Sequence, residues 1–198
     1  MRNKEETYNQ IVKTAYEMFA KKGFHQTSLS HIASEVGISK PAIYYYFKSK
    51  DELIKSLFEK VTQEIHAITF IDAKTITIHN FRQSLYFIGE NAIDQQVKDP
   101  HFNHLFNQYL LLASQDTYYS ERLVTIQQDY LNLFYAFFAH AVEIGAIREE
   151  NLLIKSQLLA LVFDNITNFI LTDMNLDYKK IWQEAVDSVL SGIELDEQ

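Results

Sequence analysis

No cysteine occurs in the 198 residues, so disulfides and thiol chemistry are excluded and a reducing compartment suits the chain. Only two prolines and five glycines interrupt it, and apolar–polar alternation of the strand period is scarce. Hydrophobic residues make up 47%, enough for a substantial core, so an all-α fold is expected. There is no Gly-rich phosphate loop and no G-x-S-x-G elbow. The Glu-x-x-His pairs of a di-iron bundle are missing as well. His101 and His104 lie at i, i+3, but no third ligand is marked. His31 and Glu35 at i, i+4, and Glu90 with Asp94, read as solvated pairs. An enzyme is therefore not expected, and no cofactor or metal is called for. The uncharged run at residues 130–142 has thirteen residues and is too short to cross a bilayer. The chain enters a polar amphipathic helix with no secretory signal, so a cytoplasmic location is expected.

Positive charge is scarce overall but not evenly so. Residues 1–60 hold ten Lys and Arg against seven Asp and Glu, and the rest hold eight against nineteen, giving +3 and −11. A mildly basic head on a strongly acidic body can approach nucleic acid favourably in one orientation only. The same split argues against a membrane-surface role.

The head carries the clearest local signals. Residues 3–22 read as an amphipathic helix with Asn3 and Glu6 as a box-like cap and Tyr8, Ile11, Val12, Ala15 and Phe19 as its buried stripe. Gly23 should end it and Phe24 turn back to the core. Ser28 then caps a short helix whose apolar face is Leu29, Ile32, Ala33 and Val36, and Gly37 stops that helix. Ser39 caps another, over residues 40–47, with Pro41 in its first turn and Ile38 and Ile43 as a hydrophobic staple. Tyr44, Tyr45, Tyr46 and Phe47 sweep most of the way round this helix at about 100° per residue. Ile43 and Phe47 share the inner face, so one or two tyrosines must point outward. Ser49 and Glu52 form a capping box for the next helix, with Lys50 in a first turn that disfavours cations.

Laid out this way, the first fifty residues resemble the N-terminal domain of the TetR/AcrR family of bacterial transcriptional regulators. The residues that match are Gly23-Phe24, Thr27-Ser28, Ile32-Ala33, Val36-Gly37-Ile38-Ser39, Ile43-Tyr44, Tyr46-Phe47, Ser49-Lys50 and Glu52-Leu53. The resemblance implies a helix-turn-helix DNA-binding domain over residues 1–48, with the motif itself at about 28–47. It further implies that Lys40, Pro41, Ala42 and Tyr44 face base edges in the major groove, with guanine the expected partner of Lys40. Ser28, Ser30, Ser39, Tyr45, Tyr46 and Lys50 match positions that hold phosphates.

The remainder, residues 49–198, reads as a helical body, giving about nine helices in all. Helices are expected from Lys50 to about residue 69, then over 76–97, 101–114 and 119–144, then to 173 behind an Asn151 cap and to about 191 behind an Asp177 cap, with breaks at 72–75, 98–100 and 115–117. Aromatic residues crowd the middle of the chain. His104, Phe106, Tyr109, Phe134, Phe138 and Asn165 are candidates to line an effector cavity, as apolar walls with orienting polar groups. The last two helices are apolar on more than one face, and Leu158, Val162, Phe169, Trp182, Val186 and Val189 are candidates for a dimer interface. A helix apolar most of the way round needs two partners. Family members pair through these two helices, so the resemblance implies a homodimer. A ligand-responsive regulator follows from it, a repressor released from a palindromic operator by a small apolar or amphipathic effector. The other reading is a family member acting as co-activator or adaptor through protein contacts without operator binding.

Overall fold

Short polar side chains and glycines write the helix boundaries of this chain. The computed structural model describes residues 3–69, 75–172 and 174–195, and nine helices stand among the described residues. α1 (Lys4–Gln26) starts where Asn3 Oδ1 accepts from the Glu5 N–H and Glu6 returns its carboxylate to the Asn3 N–H at 3.1 Å. Gly23 bends it, with φ 82° and ψ 162°, a conformation that a Cβ would oppose. α2 (Leu29–Val36) is capped by Ser28 and ends at Gly37, whose φ of 77° lets the Ile38 N–H reach back to the Ala33 carbonyl. α3 (Lys40–Tyr46) is capped by Ser39, whose hydroxyl accepts from the Ala42 N–H. α4 (Lys50–Thr69) opens with Ser49 Oγ accepting from the Glu52 N–H, while the Glu52 carboxylate reaches the Lys48 N–H at 2.7 Å.

α5 (Phe81–Lys98) begins later than the expected residue 76. The β-branched run Thr75-Ile76-Thr77-Ile78 disfavours a helix, and Asn80 bonds both the Thr77 N–H and the Thr75 carbonyl, offering the backbone a turn instead. The break expected at 72–75 lies outside the described residues except for Thr75. α6 (Pro100–Ala113) is capped by Asp99, and α7 (Thr117–Glu143) follows. α8 (Leu152–Leu171) follows Asn151, which was expected to cap it. Asn151 instead lies in the left-handed region at φ 52°, from which its side chain makes no cap bond. α9 (Tyr178–Leu190) is capped by Asp177. No helix among the described residues is long and apolar enough to cross a membrane.

Packing divides the chain into two compact units, Met1–Ile65 with Asp99–Tyr119, and His66–Lys98 with Ser120–Gln198. The first unit holds α1, α2, α3, most of α4, and α6. Its centre is aromatic: Tyr109 of α6 lies against Phe58 and Phe24, with ring centroids 4.5 and 5.2 Å away, and its hydroxyl donates to the Ile54 carbonyl. Burial pushes the Tyr109 phenol well above its ordinary range, so it stays neutral. Burial, with Asp116 adding its charge, pushes Tyr119 up to about 12.

The second unit is built from α5, most of α7, α8 and α9. Trp182 of α9 is fully buried between Phe134 and Phe163, and its indole N–H is shared by the Leu85 and Tyr86 carbonyls. Gly89 on α5 makes room for it: a Cβ there would lie 2.3 Å from the indole. Arg82 joins α5 to α9 and the C-terminal segment by pairing with Asp187 and Glu194. Lys155 in the first turn of α8 donates to the Val189 carbonyl near the end of α9, where helix carbonyls lack partners.

Candidate nucleic-acid interface

α3 is held from behind. Ile43 is wholly buried and Phe47 nearly so, and Tyr8 of α1 stacks on Phe47 with centroids 5.5 Å apart. Tyr8 also shares a hydrogen bond with Ser56 of α4 at 2.9 Å. With the back fixed, the front projects. Lys40 and Pro41 are exposed, Ala42 is half-buried, and Tyr44 and Tyr45 are 44% and 69% exposed. Tyr46 is half-buried and meets Tyr45 edge-on at 5.3 Å. The Lys4 ammonium sits 5.1 Å from the Tyr45 ring centroid, and hydrogen bonding to Tyr45 holds that ammonium's pKa above its ordinary value. Lys4 was not anticipated from the sequence, because nothing local links a residue of the first turn to one forty positions later.

Beside α3 runs an open groove lined by Thr27, Ser28, Ser30, Tyr44, Ser49 and Lys50, with His25, His31 and Lys48 also on its walls. Ser28 and Ser39 each use an oxygen lone pair to cap a helix, which leaves each hydroxyl hydrogen free to donate outward. Ser30 is half-buried on the same wall. The arrangement offers hydroxyl, phenol and ammonium donors on one surface, which is the chemistry of phosphate and base-edge contact. Lys50 is more engaged than expected: its ammonium donates to the Phe24 carbonyl at 2.9 Å. That bond accounts for a lysine in a helix's first turn without any ligand, and the ammonium keeps two further protons to donate.

The other residues singled out in the sequence fall into different settings. His104, Phe106 and Tyr109 belong to the first unit, whereas Phe134, Phe138 and Asn165 belong to the second. Tyr109, Phe134 and Phe138 are fully buried core residues of their own units, while His104 and Asn165 are exposed and Phe106 stacks on Phe102. The surface expected at Trp182, Val186 and Val189 is a correction. All three are buried in this chain's own core because α9 turns its apolar face to α5 and α8, so none can meet a partner. Leu158 and Phe169, by contrast, are exposed on α8 and Val162 is half-buried.

Comparison with known proteins agrees with this geometry. Residues 11–57 match the family described as bacterial regulatory proteins, tetR family. The chain is 25% identical over 196 residues to the fatty acid metabolism regulator protein of Bacillus subtilis, covering 98% of each protein. It superposes on the transcriptional regulator FadR from Bacillus subtilis, solved in complex with stearoyl-CoA, with a TM-score of 0.68 and 25% identity, covering 94% of this chain and all of the other. A TetR transcription regulator from Haloarcula marismortui shares the fold at a TM-score of 0.74 and 14% identity, over 96% of this chain and all of that one. A helix-turn-helix with an outward-facing basic and phenolic surface, the family match over residues 11–57 and this all-helical fold together give the chain a TetR-family DNA-binding segment and make it similar over its length to TetR-family transcriptional regulators.

Proposed function

We propose that the chain is a homodimeric repressor released from a palindromic operator by an amphipathic, acyl-bearing effector. The observation that carries the reading is the two-sidedness of α3, anchored by Ile43 and Phe47 and open at Lys40, Tyr44 and Tyr45. In this reading residues 1–48 form the DNA-binding head and residues 49–198 the regulatory body. Lys40, Pro41, Ala42 and Tyr44 read base edges, with Lys40 on guanine. Ser28, Ser30, Ser39, Tyr45, Tyr46 and Lys50 hold phosphates.

Dimerisation is supported by Ile154, Leu158, Leu161 and Phe169, which form an exposed apolar stripe along α8. A two-fold pair would place two heads one DNA turn apart, about 34 Å, or a multiple of it. The effector class is supported by the similarity to a fatty acid metabolism regulator and to a relative solved with stearoyl-CoA. Such an effector must bind the DNA-incompetent state better than the competent one, or it shifts nothing.

The test begins with duplexes that the protein selects from a randomised library. The complex should weaken steeply with added salt. Lys40→Ala should lose about 1–3 kcal/mol of discrimination between the selected duplex and one with its guanines replaced. Tyr45→Phe should weaken binding to all sequences alike. Stearoyl-CoA should release the duplex and change the fluorescence of Trp182, the chain's one tryptophan. A protein that binds no duplex at low salt would instead fit the adaptor reading, and release by no acyl-CoA would remove the effector class alone.

A further inference from the structure

Beside the bend at Gly23, two distant side chains bond the backbone. Gln108 of α6 accepts the Phe24 N–H on its Oε1 at 2.7 Å and donates from its Nε2 to the Phe19 carbonyl at 2.9 Å. Lys50 of α4 takes the Phe24 carbonyl. The Phe24 peptide units are thus gripped from both sides, and its ring is wedged between Phe19 and Tyr109. A Cβ on Gly23 would lie 3.4 Å from Gln108 Oε1, so the amide sits directly against the bend. Four residues after Gly23 the chain enters Thr27-Ser28 and then α2, so the bend sets where the helix-turn-helix begins. We propose that Gln108 is a positioning residue for DNA reading: by fixing the Gly23–Phe24 bend it sets the angle at which α2 and α3 leave α1. It touches no DNA itself. The proposal rests on the DNA-binding reading and adds α6 to the machinery that aims the head.

A second tie between α1 and α6 supplies the control. The Tyr16 hydroxyl donates to Asp99 Oδ2 at 2.5 Å, while Asp99 Oδ1 caps α6. This tie joins the same two helices but lies away from the bend. Full-length wild type, Gln108→Leu, Gln108→Glu and Tyr16→Phe are compared on the duplex selected by wild type and on a scrambled duplex, well below each protein's melting temperature. Gln108→Leu should lose tenfold or more in affinity for the selected duplex and stay within about twofold on the scrambled one. Its Phe24 amide should also exchange hydrogen faster. Gln108→Glu keeps the acceptor for Phe24 but lacks the donor for Phe19, so its loss should be smaller. Tyr16→Phe should lower the melting temperature without changing the ratio of the two affinities. Selected-duplex affinity unchanged in Gln108→Leu overturns the proposal. So does an equal loss on both duplexes, or a Tyr16→Phe ratio that falls as far. A wild type that binds neither duplex sinks the DNA-binding reading itself, a distinct outcome.

Discussion

The two compact units both have aromatic centres but lean differently on local caps. In the first, polar side chains at helix ends add local order to an aromatic centre: Asn3, Ser28, Ser39, Ser49 and Asp99 each satisfy an orphan amide within three residues of themselves. In the second, order comes from one large side chain in a tailored space, Trp182 against Gly89, Phe134 and Phe163. Caps fix helices locally and leave the surface between them free to carry donors. A nested aromatic core fixes helices across nearly a hundred positions of sequence. A unit that meets a charged polymer gains from the first device, and a unit whose task is to hold helices in register gains from the second.

Two glycines make the difference measurable, and the larger effect belongs to the second unit. Gly89→Ala would put a methyl 2.3 Å from an indole that is buried and bonded to two carbonyls. The expected loss of stability by denaturant unfolding is about 3 kcal/mol, the upper end for overpacking. Trp182→Phe in the same chain should recover part of it, a non-additivity that only contact produces. Simple additivity would mean that Gly89 and Trp182 do not depend on one another.

Gly37→Ala should cost less, about 1–2 kcal/mol, since no atom lies within 4 Å of the added methyl and the penalty is that of a left-handed backbone at φ 77°. It should be additive with Trp182→Phe, and strong coupling between them would erase the contrast between local and non-local order.

The smallest effect concerns Asp94, whose carboxyl is held below its ordinary pKa chiefly by the hydrogen bond from Lys179 at 2.7 Å. A depressed carboxyl stabilises the fold above its unfolded pKa, about 4, and that contribution fades as pH falls through the lower folded value. Asp94→Asn should therefore lower the melting temperature slightly at neutral pH and not in strong acid. Both partners are more than 40% exposed, so solvent screening keeps the change small. A shift that grows on acidification would contradict the assignment.

The same contrast explains what could be read in the sequence. Ser28, Gly37, Ser39 and Pro41 act within a turn of themselves, so α2 and α3 were legible to within a residue, and the face shared by Ile43 and Phe47 was fixed by spacing alone. The start of α5 was misplaced because helix periodicity continued through a β-branched run that Asn80 ties into a turn. The dimer interface expected at Trp182, Val186 and Val189 fails because periodicity shows that a face is apolar, not which neighbour covers it. Here α5 covers it, and the signal that could have said so was Gly89, a small residue mid-helix with no turn to make. Gln108 and Lys4 were invisible for the same reason: their partners lie 84 and about forty residues away.

In the proposed function, the surface of α2, α3 and the groove beside them receives duplex DNA. Amide hydrogen exchange of the full chain, with and without the duplex selected by the protein, tests it most directly. The account predicts that added protection concentrates in residues 28–50 and fades at high salt. Protection confined to α8 and α9, or none at a duplex concentration that saturates binding, would contradict it.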